Sequence, residues 1–372
     1  MISEGRVDQR EAATLVVASI VTEIFLTLPA LLVDEAQTAA WMVLLVTTVV
    51  GMVAFLPMAA LMERFPGKSI IEAGEEVLGP VLNGFFSLAY LSFFLVTTVV
   101  VLRQFAERTL TVAIPELPLS VAIAGMLAGG MAACSLGLEA MARSTWVMMY
   151  FMAPTMLLVN LLPYPYWRVE YLVPFWGAGP GEMLVDGFWR SSLMGEVLFL
   201  CLVAPALKEQ SVRGPGLVSI MAGGLTMVLS MVAMQIVFPV GVLREMALPS
   251  FEMSRLIYFG RFVQRLETLF MPLWALAGMI KVTIGCYACA VIITRALKLP
   301  YHRPFLLPVT VILFAAALIP VNVSQTVWLD TQLVRRWGWI PSFLLPALLF
   351  LVALARGKGE KRQGGKKQGG HR

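Results

Sequence analysis

Residues 14–33 read TLVVASIVTEIFLTLPALLV, twenty residues with a single charge. At 1.5 Å per residue such a run covers about 30 Å, the hydrocarbon thickness of a bilayer. The one charge is Glu23, and a helix breaker, Pro29, follows it. An unpaired carboxylate midway along a span costs about 3 kcal/mol. Proline has no N–H to give the carbonyl of Phe25 and its ring crowds that turn. The run therefore predicts a membrane span interrupted near its middle. Thr22 and Thr27 are placed to take up the backbone groups that the interruption frees.

The rest of the chain repeats this theme. Hydrophobic residues make up 59% of the sequence, charged residues 14%, and the mean hydropathy is +0.81. A soluble domain is nearer half apolar and a quarter charged, so this chain needs lipid as its solvent. Spans are predicted at roughly 10–33, 39–63, 81–110, 118–136, 144–163, 183–207, 214–241, 266–295, 304–321 and 339–355. The expected fold is an all-α integral membrane domain of about ten helices over residues 1–355. The segment Met1–Glu11 is mixed in charge, and the apolar run after it is too long for a cleavable signal. The first span is expected to stay in the protein.

Lys and Arg set the expected orientation. They favour both termini on the cytoplasmic side, and the basic tail decides the balance. That tail, residues 356–372, is rich in Gly, Lys and Gln. It has nothing apolar to bury and reads as a disordered topology signal, with anionic lipid as its nearest neighbour. Nothing in it asks for nucleic acid. Between spans five and six, PYPYWRVEYLVPFWGAGPG (163–181) suits an interfacial aromatic belt. PSFEMSRLIYFGRF (249–262) reads as a short amphipathic segment ahead of span eight. Such segments either cap a central site or only anchor the interface.

Four ionisable residues stand out inside the predicted spans: Glu23, Arg103, Glu196 and Lys281. Each is costly there and marks a functional site by default. Lys281 is the natural partner for Glu23 or Glu196, and all four are expected to face one polar interior. Two readings stay open: a ligand cavity and a structural ion-pair tie. In span six, Ser191, Ser192 and Gly195 precede Glu196, and Pro205 follows. This is a second helix break beside a second glutamate, five spans after the first. Matching interruptions in the two halves point to two inverted five-helix repeats with helices one and six broken, and to a binding site between them. Exposed backbone groups at Thr22, Glu23, Ile24, Phe25 and Leu26, and at Ser191, Ser192 and Gly195, are then the expected cradle. Glu196 and Lys281 set its polarity, and Arg103 lies nearer the outer mouth.

No soluble-enzyme motif appears: no Walker loop, no GxGxxG after a strand, no HExxH. Cys134, Cys201, Cys286 and Cys289 lie in apolar runs, and the CxxC of the last two has no companion pair or His cluster. They read as packing residues, with neither metal nor cofactor expected. Gly129-Gly130 and Gly223-Gly224 read as helix-packing positions, and the Met-rich stretches as filler.

An ordered set of pieces resembles the spore germination permease family, the B-type membrane subunits of nutrient germinant receptors within the amino acid–polyamine–organocation transporter superfamily. The pieces are Leu26-Thr27-Leu28-Pro29, Trp41, Phe65-Pro66-Gly67-Lys68-Ser69 with Glu72 and Leu78-Gly79, Leu102-Arg103-Gln104-Phe105, Gly137-Leu138-Glu139 with Arg143, Leu172-Val173-Pro174 with Gly177, Gly195-Glu196, and Arg265-Leu266-Glu267-Thr268-Leu269-Phe270 with Trp274, Lys281 and Tyr287. The resemblance implies ten helices with the first and sixth unwound. It implies sensing of a small germinant, often an amino acid, in the spore inner membrane. It also implies two partners, an A-type membrane subunit and a C-type lipoprotein. The alternative is a working proton-coupled amino acid transporter. One departure stands out. Thr22-Glu23-Ile24 replaces a small, Gly-rich stretch, which leaves open a cationic ligand, a proton-linked Glu23 or a Glu23–Lys281 pair.

Overall fold

A computed structural model of the chain describes residues 5–258 and 267–359. Among the described residues, seven helical runs are long and apolar enough to cross a membrane. The first of them joins the second half of span one to span two at Gln37, where φ is +53°. The remaining crossings are the first half of span one, a second broken helix, and the fifteen-residue helix Arg303–Ala317. The observed spans are one (Gln9–Ala36, broken), two (Ala40–Arg64), three (Pro80–Val112), four (Leu119–Leu136), five (Leu138–Leu161), six (Pro180–Leu202, broken), seven (Arg213–Val237), eight (Glu267–Ala296), nine (Arg303–Ala317) and ten (Val323–Ala355). Five crossings separate the start of span one from the start of span six. The two halves therefore run in opposite directions, and each opens with a broken helix.

Contacts at the ends bear out an even number of crossings. The N–H of Val7 donates to the carbonyl of Ala206 (2.9 Å) and that of Lys208 to the carbonyl of Val7 (3.1 Å). This parallel bridge ties the N-terminal segment to the end of span six. Arg143, early in span five, lies 3.8 Å from Glu11. The short helix Ile70–Leu78 between spans two and three meets the end of span eight through Arg295–Glu72 (3.0 Å) and Lys298–Glu75 (2.5 Å). It meets the end of span ten through Arg356 Nη1, which donates to the Val77 carbonyl at 2.6 Å. All these ends share one face of the bundle. On the far face, Gln235 Nε2 donates to the carbonyls of Gln37 and Thr38, both at 3.1 Å, and Arg168 N–H to that of Ile236 at 2.7 Å.

Burial sorts the helices by role. In span eight 83% of the most apolar window is inside the protein, against 28% in spans four and five. Span eight is thus the central post, and spans four and five show a flank to lipid. The aromatics of residues 163–181 stay largely exposed on the far face, as a belt requires. The helix Pro249–Arg255 forms as expected, while residues 259–262 of that segment, the basic tail from 360 on and Arg265-Leu266 lie outside the described residues.

Two span starts differ by more than three residues from the sequence reading. Span five starts at Leu138, since Gly137 at φ +94° turns the chain in one residue, a conformation that glycine adopts without a Cβ clash. Span ten starts at Val323, far ahead of the expected 339. Asp330, Arg335 and Arg336 give that stretch the charge of a loop. In the structure Asp330 and Arg335 are buried, so their charge is met by partners rather than by water.

Candidate functional site

Span one breaks where its sequence cannot continue an α-helix. Gln9–Val21 gives way to a 3₁₀ turn, Thr22–Phe25, and the helix resumes at Leu28 with Pro29 in its first turn. The carbonyl of Phe25, which Pro29 cannot serve, accepts the indole N–H of Trp274 at 3.3 Å. Thr22 donates to the carbonyls of Ala18 (2.7 Å) and Ala277 (3.3 Å). Thr27 does not serve the backbone as expected. Its hydroxyl donates to the side-chain oxygen of Gln104 at 3.0 Å. The carbonyl of Ile24 accepts from Ser250 Oγ at 3.4 Å, so the outer helix Pro249–Arg255 rests on the break.

Span six is interrupted as the sequence predicts. A 3₁₀ stretch, Arg190–Val197, separates the helices Pro180–Trp189 and Leu198–Leu202, and Pro205 lies in the turn that ends the span. The stretch is buried throughout, Ser191 included. Gly195 is a close-packing position. A Cβ there would stand 2.7 Å from Ser342 Cβ and 2.9 Å from Phe93 Cζ.

The two breaks meet at one ring of charge. Lys281 Nζ lies 2.6 Å from Glu23 Oε1 and 3.3 Å from Glu196 Oε1, and donates to the carbonyl of Ser19 at 3.2 Å. Ser19 Oγ donates to Glu196 Oε2 at 3.1 Å. On the other side of Glu23, Arg335 Nη2 donates to Oε2 at 2.6 Å. Arg335 Nε stands 3.0 Å from Asp330 Oδ1. The Arg335 carbonyl accepts from Ser192 Oγ at 3.2 Å. All five charged side chains are at most 6% exposed. An ion taken out of water costs several kcal/mol, and this is offset only by close partners and further hydrogen bonds. The ring supplies both. It holds three carboxylates against two cations.

Of the four in-span charges, the structure brings three together: Glu23, Glu196 and Lys281. Lys281 takes both glutamates rather than one. Arg103 is not among them. Its Nε lies 2.7 Å from Glu107 Oε1 and its Nη1 donates to the carbonyl of Ala317 at 3.1 Å, which braces span three against span nine. The sequence reading missed Arg335, Asp330 and Ser19. Residues 323–355 contain three charges in thirty-three positions, a signal that a span with a polar core was there to find.

The cysteines are all buried and free. Cys134 Sγ approaches the Thr283 carbonyl at 3.4 Å, as packing residues do. Among the described residues no group of three or more His, Cys, Asp or Glu could hold a metal ion.

Residues 6–326 match the family model described as spore germination protein. Spore germination protein KB of Bacillus subtilis (strain 168) is 24% identical over 334 residues, which cover 88% of this chain and 89% of that protein. Among solved structures, two mutants of the Eremococcus coleocola manganese transporter match at a TM-score of 0.62 and 15% identity, covering 93% of this chain and 76% of theirs. The same transporter with an aromatic bis-isothiourea substituted compound matches at 0.55 over 94% of this chain and 76% of its own. At this identity the likeness is one of fold, and the shared fold is a transporter's.

Proposed function

The chain belongs to the spore germination protein family, and from that premise we propose that it is the B-type membrane subunit of a nutrient germinant receptor. It binds a small germinant, of the amino-acid class, between the breaks of spans one and six. The observation that carries this reading is the convergence of both unwound stretches on one buried ring, with Lys281 holding Glu23 and Glu196 together. A purely structural bundle has no need to break two helices and bury five charges at the same level. Broken helices at mid-membrane are how carrier folds offer backbone groups to a polar ligand. The cradle comprises residues 22–26 with Ser191, Ser192 and Gly195, and the ring sets its polarity. Glu23 pairs with Lys281 through Oε1, and its second oxygen, now held by Arg335, leaves the option of a cationic ligand open.

The manganese carried by the fold neighbours does not transfer to this site. Each ring carboxylate already faces an ammonium or a guanidinium, and a divalent cation there meets positive charge. In the receptor the chain works with an A-type membrane subunit and a C-type lipoprotein. It sits in the spore inner membrane with the start of span one and the end of span ten toward the core.

One observation favours a second reading, proton-coupled amino acid transport: the ring has one carboxylate more than it has cations, a place for a proton. Two experiments separate the readings. A thermal-shift panel of amino acids, sugars and nucleosides on the purified protein is expected to show stabilisation by at least one germinant, since only a ligand that prefers the folded state raises the melting temperature. In proteoliposomes the chain alone is expected to show no proton-driven accumulation of that compound. Robust accumulation overturns the receptor reading.

A further inference from the structure

Arg335 touches both helix breaks at once. Its guanidinium holds Glu23 of span one (2.6 Å) and its carbonyl accepts the hydroxyl of Ser192 of span six (3.2 Å). It belongs to neither broken helix. It comes from span ten, and it lies where that span departs from α geometry. Asp330–Arg335 and Ile340–Leu344 are both π-helical, a rare form that collects at functional positions. Four residues beyond Arg335, Trp339 packs on Phe188 (5.5 Å) and Trp189 (6.0 Å) of the outer half of span six.

We propose that Arg335 is an internal competitor for the ligand: its guanidinium occupies on Glu23 the place of a ligand's cationic nitrogen, and an ammonium or guanidinium compound displaces it and releases span ten. This deepens the germinant reading and rests on it. Charge is the first argument. Swapping one cation for another leaves Glu23 neutralised, whereas an anion adds to the excess of carboxylate and a neutral ligand leaves Glu23 with Lys281 alone. The second argument is where Arg335 goes. Asp330 already stands 3.0 Å from its Nε, so the displaced guanidinium keeps a carboxylate partner and is not stranded in an apolar interior. The third is transmission. A π stretch that tightens to α geometry shifts the register of the helix beyond it, by about 100° per residue, which turns Trp339 against the outer half of span six.

The test uses full-length protein in detergent and two small probes of the same shape, methylguanidinium and uncharged methylurea. Arg335→Met removes the guanidinium and leaves Glu23 Oε2 without its cation, and methylguanidinium is expected to raise the melting temperature at concentrations about tenfold lower than in the unaltered protein, because the internal competitor is gone. Methylurea is expected to do nothing in either. Arg335→Lys keeps a cation and is expected to behave like the unaltered protein. Equal responses of the unaltered protein and Arg335→Met to methylguanidinium overturn the proposal, as does an equal effect of methylurea. Should Arg335→Met not fold, hydrogen exchange of the unaltered protein decides. With methylguanidinium, peptides over 330–344 are expected to exchange faster, and unchanged exchange overturns the proposal. A protein that no amino acid, sugar or nucleoside stabilises sinks the germinant reading itself, whichever way Arg335 behaves.

Discussion

Arg335 Nη2 donates to Glu23 Oε2 at 2.6 Å across 312 residues of sequence, joining the last span of the bundle to the first at the level where the first is broken. Span one is thus fixed at its break from two directions, by Arg335 of span ten and by Lys281 of span eight. Neither helix can shift without unpairing Glu23. The ring couples four spans through side chains, and any ligand that enters it acts on all four.

The first prediction rests on the double hold of Lys281. Lys281→Met leaves Glu196 with the Ser19 hydroxyl as its remaining ring contact, a buried carboxylate without a cation. Breaking one side of a buried ion pair costs about 3–5 kcal/mol. Glu196→Gln alone removes the carboxylate and costs less. Combined with Lys281→Met, it should recover part of the loss, because the orphaned charge is gone and Glu23 keeps Arg335. Thermal unfolding of the three variants measures this. Additive losses in the double variant mean that Lys281 and Glu196 are not coupled.

Much of this was legible in the sequence, and the parts that were not have physical reasons. Glu23 with Pro29 and Gly195-Glu196 with Pro205 announced two broken spans, because a charge and a helix breaker in an apolar run each have few explanations. Lys281 was legible as their partner for the same reason. Span ten was not. Asp330 and Arg335 lower the hydropathy of its first half, and hydropathy counts a charge as exposed even when another span neutralises it. The tertiary pairing of Arg335 with Glu23 is what lets these charges sit inside a span. Arg103 erred the other way. A place along the span does not say which way a side chain faces, and Glu107 one turn on pairs with it. Gly195, expected in the ligand cradle, also packs closely on Ser342 of span ten and Phe93 of span three, which no sequence pattern announces.

A second prediction concerns topology. The parallel bridge between Val7 and Leu207 places the N-terminal segment beside the end of span six. That neighbourhood requires an even number of crossings between them. In Val7→Cys/Leu207→Cys, mild oxidation should close an intramolecular disulfide, while Cys134, Cys201, Cys286 and Cys289 are buried and do not compete. A control with Val7→Cys and Pro174→Cys, on opposite faces, should give none. If the first pair stays reduced when both thiols react freely with maleimide, the six-span count between them is wrong.

The third prediction decides what Gly195 is for. A methyl group at Gly195 would stand 2.7 Å from Ser342 Cβ and 2.9 Å from Phe93 Cζ. Both neighbours are buried, and Ser342 is held by the bond from its hydroxyl to the Gly338 carbonyl at 2.7 Å. Forcing a methyl group into such a contact costs about 1–3 kcal/mol. Gly195→Ala should therefore lower the melting temperature, and because Glu196 is the next residue, it should also loosen the hold of Lys281 on that carboxylate. Ser342→Gly removes the nearer obstacle, so Gly195→Ala/Ser342→Gly should regain a good part of the stability lost, with the Phe93 contact accounting for the remainder. Ligand affinity should recover in step with stability. If Gly195→Ala instead abolishes ligand binding at full stability, and Ser342→Gly restores nothing, then the glycine faces the ligand rather than span ten, and its role is the close backbone approach that its place beside Glu196 first implied.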